Sequence, residues 1–211
     1  MNNLFEKKAG IALIVFTVLL VLTMVMHPAG GKLEYLIRIT PLIITTHAIA
    51  ILSLPFGLIG FWGLTRRIGT DHFWSMLAFA SICLGLVAVM MAAATNGLVM
   101  PLFLQGYKDA SAETIESIRP VLRYSFSINH AFDFIYTGAF VFSILSWSIS
   151  ILYTRKFAAW IGWIGIAISI AIIAMFISGI AFNGLMGFRI FVASIVIWIL
   201  ILGISLTRKP V

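Results

Sequence analysis

Four ionisable side chains, His27, His47, His130 and Asp133, stand out in a chain that is 62% hydrophobic and only 10% charged. Neutral imidazole is the commonest protein metal ligand, so three histidines and a carboxylate would suit zinc or another divalent ion. A hydrolytic zinc site keeps one position open for water, and Asp133 is the candidate catalytic group that would orient it. His47 and His130 could instead ligate one haem b axially between facing helices. Met24, Met26 and His27 permit a copper reading, because thioethers are soft ligands for Cu(I). His130 and Asp133 are three residues apart and so share a helical face. Asn96, Asn183 and Arg189 are further candidates for contacting a bound cofactor or ligand.

Taken singly, most of these residues have a plainer role. His27 precedes Pro28 and a Gly pair, an ordinary place for a helix to stop. The hydroxyls of Thr45 and Thr46 can bond to the preceding turn. Asn96 and Asn183 each precede a glycine and fit helix C-terminal caps. His72 reads as an interfacial residue beside an aromatic anchor, and Cys83, the one cysteine, as a small packing residue. Asp133 resists this treatment. It is the one acidic residue inside an apolar run, and a carboxylate there must be paired, protonated or exposed to a water-filled cavity.

The elements that must position these groups follow from hydropathy. A bilayer crossing needs roughly 20 apolar residues. Six runs meet that length, at about 9–26, 41–64, 73–104, 121–153, 157–182 and 188–206. The expected fold class is therefore all-α, a single transmembrane domain built as a bundle of six helices. The N-terminal run exceeds a signal-peptide core and reads as a retained span. The segment 105–120 should form a loop with a short surface helix, with Asp109 or Ser111 as N-cap, Glu113 and Glu116 in the first turn, and Pro120 at the boundary of the fourth span.

The net charge of +7 would elsewhere suggest a nucleic-acid partner. Here it excludes nothing about the bilayer and points away from nucleic acid, because the basic residues sit in short connections. Lys7–Lys8, Arg66–Arg67, Arg155–Lys156 and Arg208–Lys209 form one pair per connection or terminus on one side. The positive-inside rule then places both termini in the cytoplasm and predicts an inner-membrane location. Trp62, Trp74, Tyr153 and Trp160 fit an aromatic belt on that side.

Depth can be counted from these basic pairs at 1.5 Å per residue. His27 lies about 28 Å above Lys8, His47 about 27 Å above Thr65, and Asp133 about 31 Å above Thr154. Three helices thus carry ionisable groups to one level near the outer membrane face, while the cytoplasmic halves are nearly pure hydrocarbon. A short internal echo accompanies this: "THA…TRR" in the second span and "NHA…TRK" in the fourth, "NGLVM" in the third and "NGLM" in the fifth. It suggests a pseudo-two-fold repeat of helices 2–3 and 4–5.

The chain lacks a nucleotide-binding loop, a GxSxG elbow, an HExxH motif and a lysine within the apolar runs, which removes several catalytic classes and a retinal Schiff base. What remains is an outward-facing His/Asp pocket that binds zinc, haem b, copper or a small lipid-like molecule, with enzymatic activity open. The competing readings are a non-catalytic binding or transport protein and a structural accessory subunit. The expected partners are the lipid bilayer and a ligand on the outer side, with homo-oligomerisation left open.

Overall fold

The computed structural model describes residues 3–28, 31–178 and 185–208. Every regular element among them is helical. The chain runs through α1 (Asn3–Met26), α2 (Leu33–Arg38), α3 (Thr40–Ile68), α4 (Phe73–Ala94), a π turn (Thr95–Val99), α5 (Met100–Gln105), α6 (Ala112–Thr154), α7 (Ala159–Ile177) and α8 (Leu185–Thr207). Six stretches are long and apolar enough to cross a membrane: Leu4–Met26, Thr40–Ile68, Phe73–Gln105, Ala112–Thr154, Ala159–Ile177 and Gly187–Thr207. Each overlaps one of the six runs read from hydropathy. Large apolar side chains such as Ile11, Val18, Leu52, Leu84, Ile170 and Ile197 cover the outside of the bundle, as in a multi-pass membrane protein.

Short connections place consecutive helices side by side. α1 packs on α3, α3 on α4, α4 on α6, α6 on α7 and α7 on α8, and α8 returns to α1. The six spans therefore close into a ring in chain order. Glycine sets the closest approaches, as small residues do where helices meet in lipid. Gly57, Gly60 and Gly63 of α3 face Phe16, Leu13 and Ala9 of α1, and Gly10 of α1 faces the Gly203 carbonyl of α8. α3 continues through Pro55, so this glycine series serves close packing.

The end that carries the basic pairs is filled. Phe61 stacks on Trp147 at 5.2 Å, and the Trp147 indole donates to Thr65 Oγ1 at 3.1 Å. Trp198 donates to the Ile161 carbonyl at 3.0 Å. Arg67 pairs with Glu6 at 3.7 Å, donates to the Ser205 and Arg208 carbonyls and lies over the Phe157 ring. Both members of the pair are buried. Hydropathy starts the first span at residue 9 and so leaves Glu6 before it, with Asp133 as the one acid inside a run. Helix α1 instead begins early enough to carry Glu6 into the packed end.

The opposite end departs from expectation in two further places. Ser111 caps α6, its Oγ accepting from Thr114 N at 3.2 Å, as expected. The surface helix it starts does not stop at Pro120; α6 runs through to Thr154, 43 residues. Proline removes one N–H from the ladder but need not end a helix whose neighbours hold it. Asn96 is not a helix C-cap either, because it lies in the π turn of a span that continues to Gln105. The small helix α2, unforeseen from sequence, tucks against α5 and α6 through Leu33, Leu36 and Ile37. Gln105 Nε2 fastens it by donating to the Ile37 carbonyl and Thr40 Oγ1, both at 2.9 Å.

Candidate functional site

Five of the six spans surround a cavity of about 600 Å³ in the half of the bundle away from the basic pairs. Each wall is one helical stripe. α1 offers Leu20, Thr23 and Met24, followed by His27; α3 offers Ile43, His47 and Ala50; α8 offers Phe188, Phe191, Val192 and Ile195. Residues spaced three and four apart line up along one side of a helix, which is why these sets act together. α6 supplies the longest stripe, Leu122, Phe126, Asn129, Asp133, Tyr136 and Phe140. The wall of α4 continues from Val89 through Ala92 and Ala93 to Asn96 in the π turn, and α2 adds Leu33 and Leu36. None of residues 105–120 is among the lining.

The polar groups fall into two sets. His27 and His47 face each other with ring centroids 5.3 Å apart and planes inclined by 59°. His27 Nδ1 meets the Pro28 carbonyl at 3.0 Å and His47 Nδ1 meets the Ile43 carbonyl at 2.8 Å. A carbonyl oxygen only accepts, so each Nδ1 carries the proton and each neutral ring keeps Nε2 as an acceptor. Burial pushes the His27 imidazole below its ordinary value, opposed by the Pro28 carbonyl bond and aided by the positive charge of Arg189. In the second set, Asn129 Nδ2 donates to Asp133 Oδ2 at 3.1 Å, and the buried Tyr136 hydroxyl bonds the same carboxylate.

Gly97, in the π turn, is what admits His47. A Cβ on Gly97 would overlap the Cβ and Cγ atoms of His47. Only a glycine lets the α3 ring press against the backbone of the third span here. A π turn inserts one residue into a helix and shifts the face of all that follows, a device common at functional sites. Next to His47, the Thr46 hydroxyl is fully buried with no hydrogen-bond partner among the described residues, so it does not bond to the preceding turn.

The structure thus brings together His27, His47, Asn96 and Asp133 around one cavity, and adds Tyr136 and Asn129, which sequence reasoning did not single out as site residues. Their positions three residues after and four before Asp133 were the available signal. His130 is exposed on α6 and absent from the lining, although within electrostatic range of Asp133. The reason is rotational. The α6 stripe alternates steps of four and three through 122, 126, 129, 133, 136 and 140, and position 130 stands about 100° round the helix from 129. Arg189 is exposed beside the cavity, in range of His27. Asn183 lies outside the described residues.

Among the described residues no group of three or more His, Cys, Asp or Glu side chains comes close enough to hold a metal ion. The expected set of three histidines and Asp133 is not assembled, and His130 is the member that stays outside the cavity lining. Of the proposed haem pair, His47 lines the cavity and His130 does not. No family model, curated protein or solved structure matches the chain.

Proposed function

We propose that this six-helix membrane protein is a receptor for a small, mainly apolar molecule, held in the cavity ringed by α1, α3, α4, α6 and α8. The observation that carries this reading is the cavity itself. Its volume of about 600 Å³ lies within the range of about 300–1,000 Å³ usual for small-molecule sites. Its walls are apolar stripes interrupted by a few polar side chains, the pattern that lets a pocket combine affinity with orientation. The packed Trp147, Trp198 and Arg67 region closes the other end, which favours binding over passage through the bundle. The basic pairs favour an orientation with both termini in the cytoplasm of an inner membrane, so the cavity opens on the extracytoplasmic side.

The test is whether purified protein carries or accepts such a molecule. Native mass spectrometry of protein released from detergent should find a non-covalent small-molecule adduct on the wild type. Ala93 is buried on the cavity wall, and Ala93→Trp fills the space, so the adduct should vanish in that variant. A wild type with no adduct, and with a melting temperature indifferent to every apolar additive tried, would leave only the structural-subunit reading.

A further inference from the structure

We propose that the molecule this cavity takes is a single-chain amphiphile with a cationic head bearing N–H donors, a long-chain amine or amino alcohol. The inference rests on the ligand-pocket reading and names its ligand class. Three independent features of the lining carry it.

The first is charge. Among the described residues of the lining, Asp133 is the one carboxylate, and no Lys or Arg accompanies it. Arg189 and His130 are within electrostatic range of His27 and Asp133 respectively, but neither lines the cavity. An anionic head would meet Asp133 with no cation in the wall to receive it, whereas an ammonium would meet an opposite charge in surroundings of low dielectric.

The second is hydrogen-bonding polarity. His27 and His47 each spend Nδ1–H on a backbone carbonyl, so their remaining ring atoms accept. An ionised carboxylate accepts about four hydrogen bonds. Asn129 and Tyr136 supply two donors to Asp133, which leaves capacity for a ligand's donors. Against these acceptors the lining offers as donors the Asn96 amide and the second N–H of Asn129, so a head bearing N–H groups finds more partners than an acceptor-only head such as a carboxylate or ketone.

The third is the wall between and below these groups. Phe126, Tyr136, Phe140, Phe188 and Phe191 line the same cavity as the carboxylate. Aromatic faces attract an ammonium through the ring quadrupole and accommodate an alkyl chain equally well.

The experiment uses four probes of one chain length, dodecylamine, dodecyltrimethylammonium, dodecanol and dodecanoate. Each is added below its micellar concentration to the full-length protein in a maltoside detergent, and the melting temperature is followed as a function of concentration. The amine should bind most tightly, the trimethylammonium and the alcohol less so, and the carboxylate weakest, by about tenfold or more relative to the amine. Asp133→Asn should remove the advantage of the amine over the alcohol, and His27→Gln should weaken the amine without inverting the order. Equal or tighter binding of dodecanoate overturns the proposal while leaving the pocket reading standing, as does an unchanged amine preference in Asp133→Asn. Binding of none of the four overturns both. If Asp133→Asn fails to fold, the wild-type series alone decides.

Discussion

The His47 ring occupies the space that a side chain at position 97 would take, so α3 and the π turn of the third span meet through an imidazole and a bare backbone. The contact fixes the ring that stands 5.3 Å from His27. The cavity's polar wall therefore depends on a residue with no side chain.

Gly97→Ala tests that dependence. The added methyl overlaps the root of the His47 side chain rather than a flexible tip. Overpacking of this kind costs about 1–3 kcal/mol, which exceeds the alanine helix preference of about 1 kcal/mol. The variant should melt several degrees lower and lose ligand-dependent stabilisation. Unchanged stability would mean that the helices separate easily here.

The closure of the ring gives a paired expectation. A Cβ at Gly10 comes within 2.6 Å of the Gly203 carbonyl oxygen, whereas one at Gly138 meets nothing within 4 Å. Gly10→Ala should weaken the α1–α8 contact and lower the melting temperature. Gly138→Ala should be neutral or raise stability by up to about 1 kcal/mol through helix propensity. Equal effects would remove the case for α8 closing on α1.

The buried pair Glu6 and Arg67 should respond asymmetrically. Without Glu6, Arg67 keeps the Ser205 and Arg208 carbonyls. Without Arg67, Glu6 is left buried with its cation gone. Removing one partner of a buried pair costs about 3–5 kcal/mol when the other charge stays unpaired. Arg67→Met should approach that range, Glu6→Gln should fall below it, and the double variant should be milder than Arg67→Met alone. Thermal melts of the three variants form the cycle.

His27 gives a pH dependence. Its folded value lies below the ordinary 6.5, chiefly through burial. Below pH 6.5 the unfolded chain then binds more protons at this site than the folded one does. The contribution is full above that pH and is lost as pH falls through the folded value. Melting temperature measured from pH 8 to 5 should decline more steeply for the wild type than for His27→Gln. Parallel profiles would mean that the ring protonates freely in the fold.

The sequence by itself determined where along each helix a residue lies. Hydropathy located the six spans, and counting at a fixed rise from the basic pairs put His27, His47 and Asp133 at one level, where the structure places one cavity. Depth is legible because it is linear in residue number. Which way a side chain faces is not, since each residue turns the helix by about 100° and the absolute setting comes from neighbouring helices. His130 had the right depth and the wrong direction, and Glu6 was drawn inward because Arg67 waits there on another helix. The pairing of His27 with His47 across two spans, the seating of His47 against Gly97 in the π turn and the closure of α8 on α1 are all choices of rotation and contact. Only the packed bundle decides them.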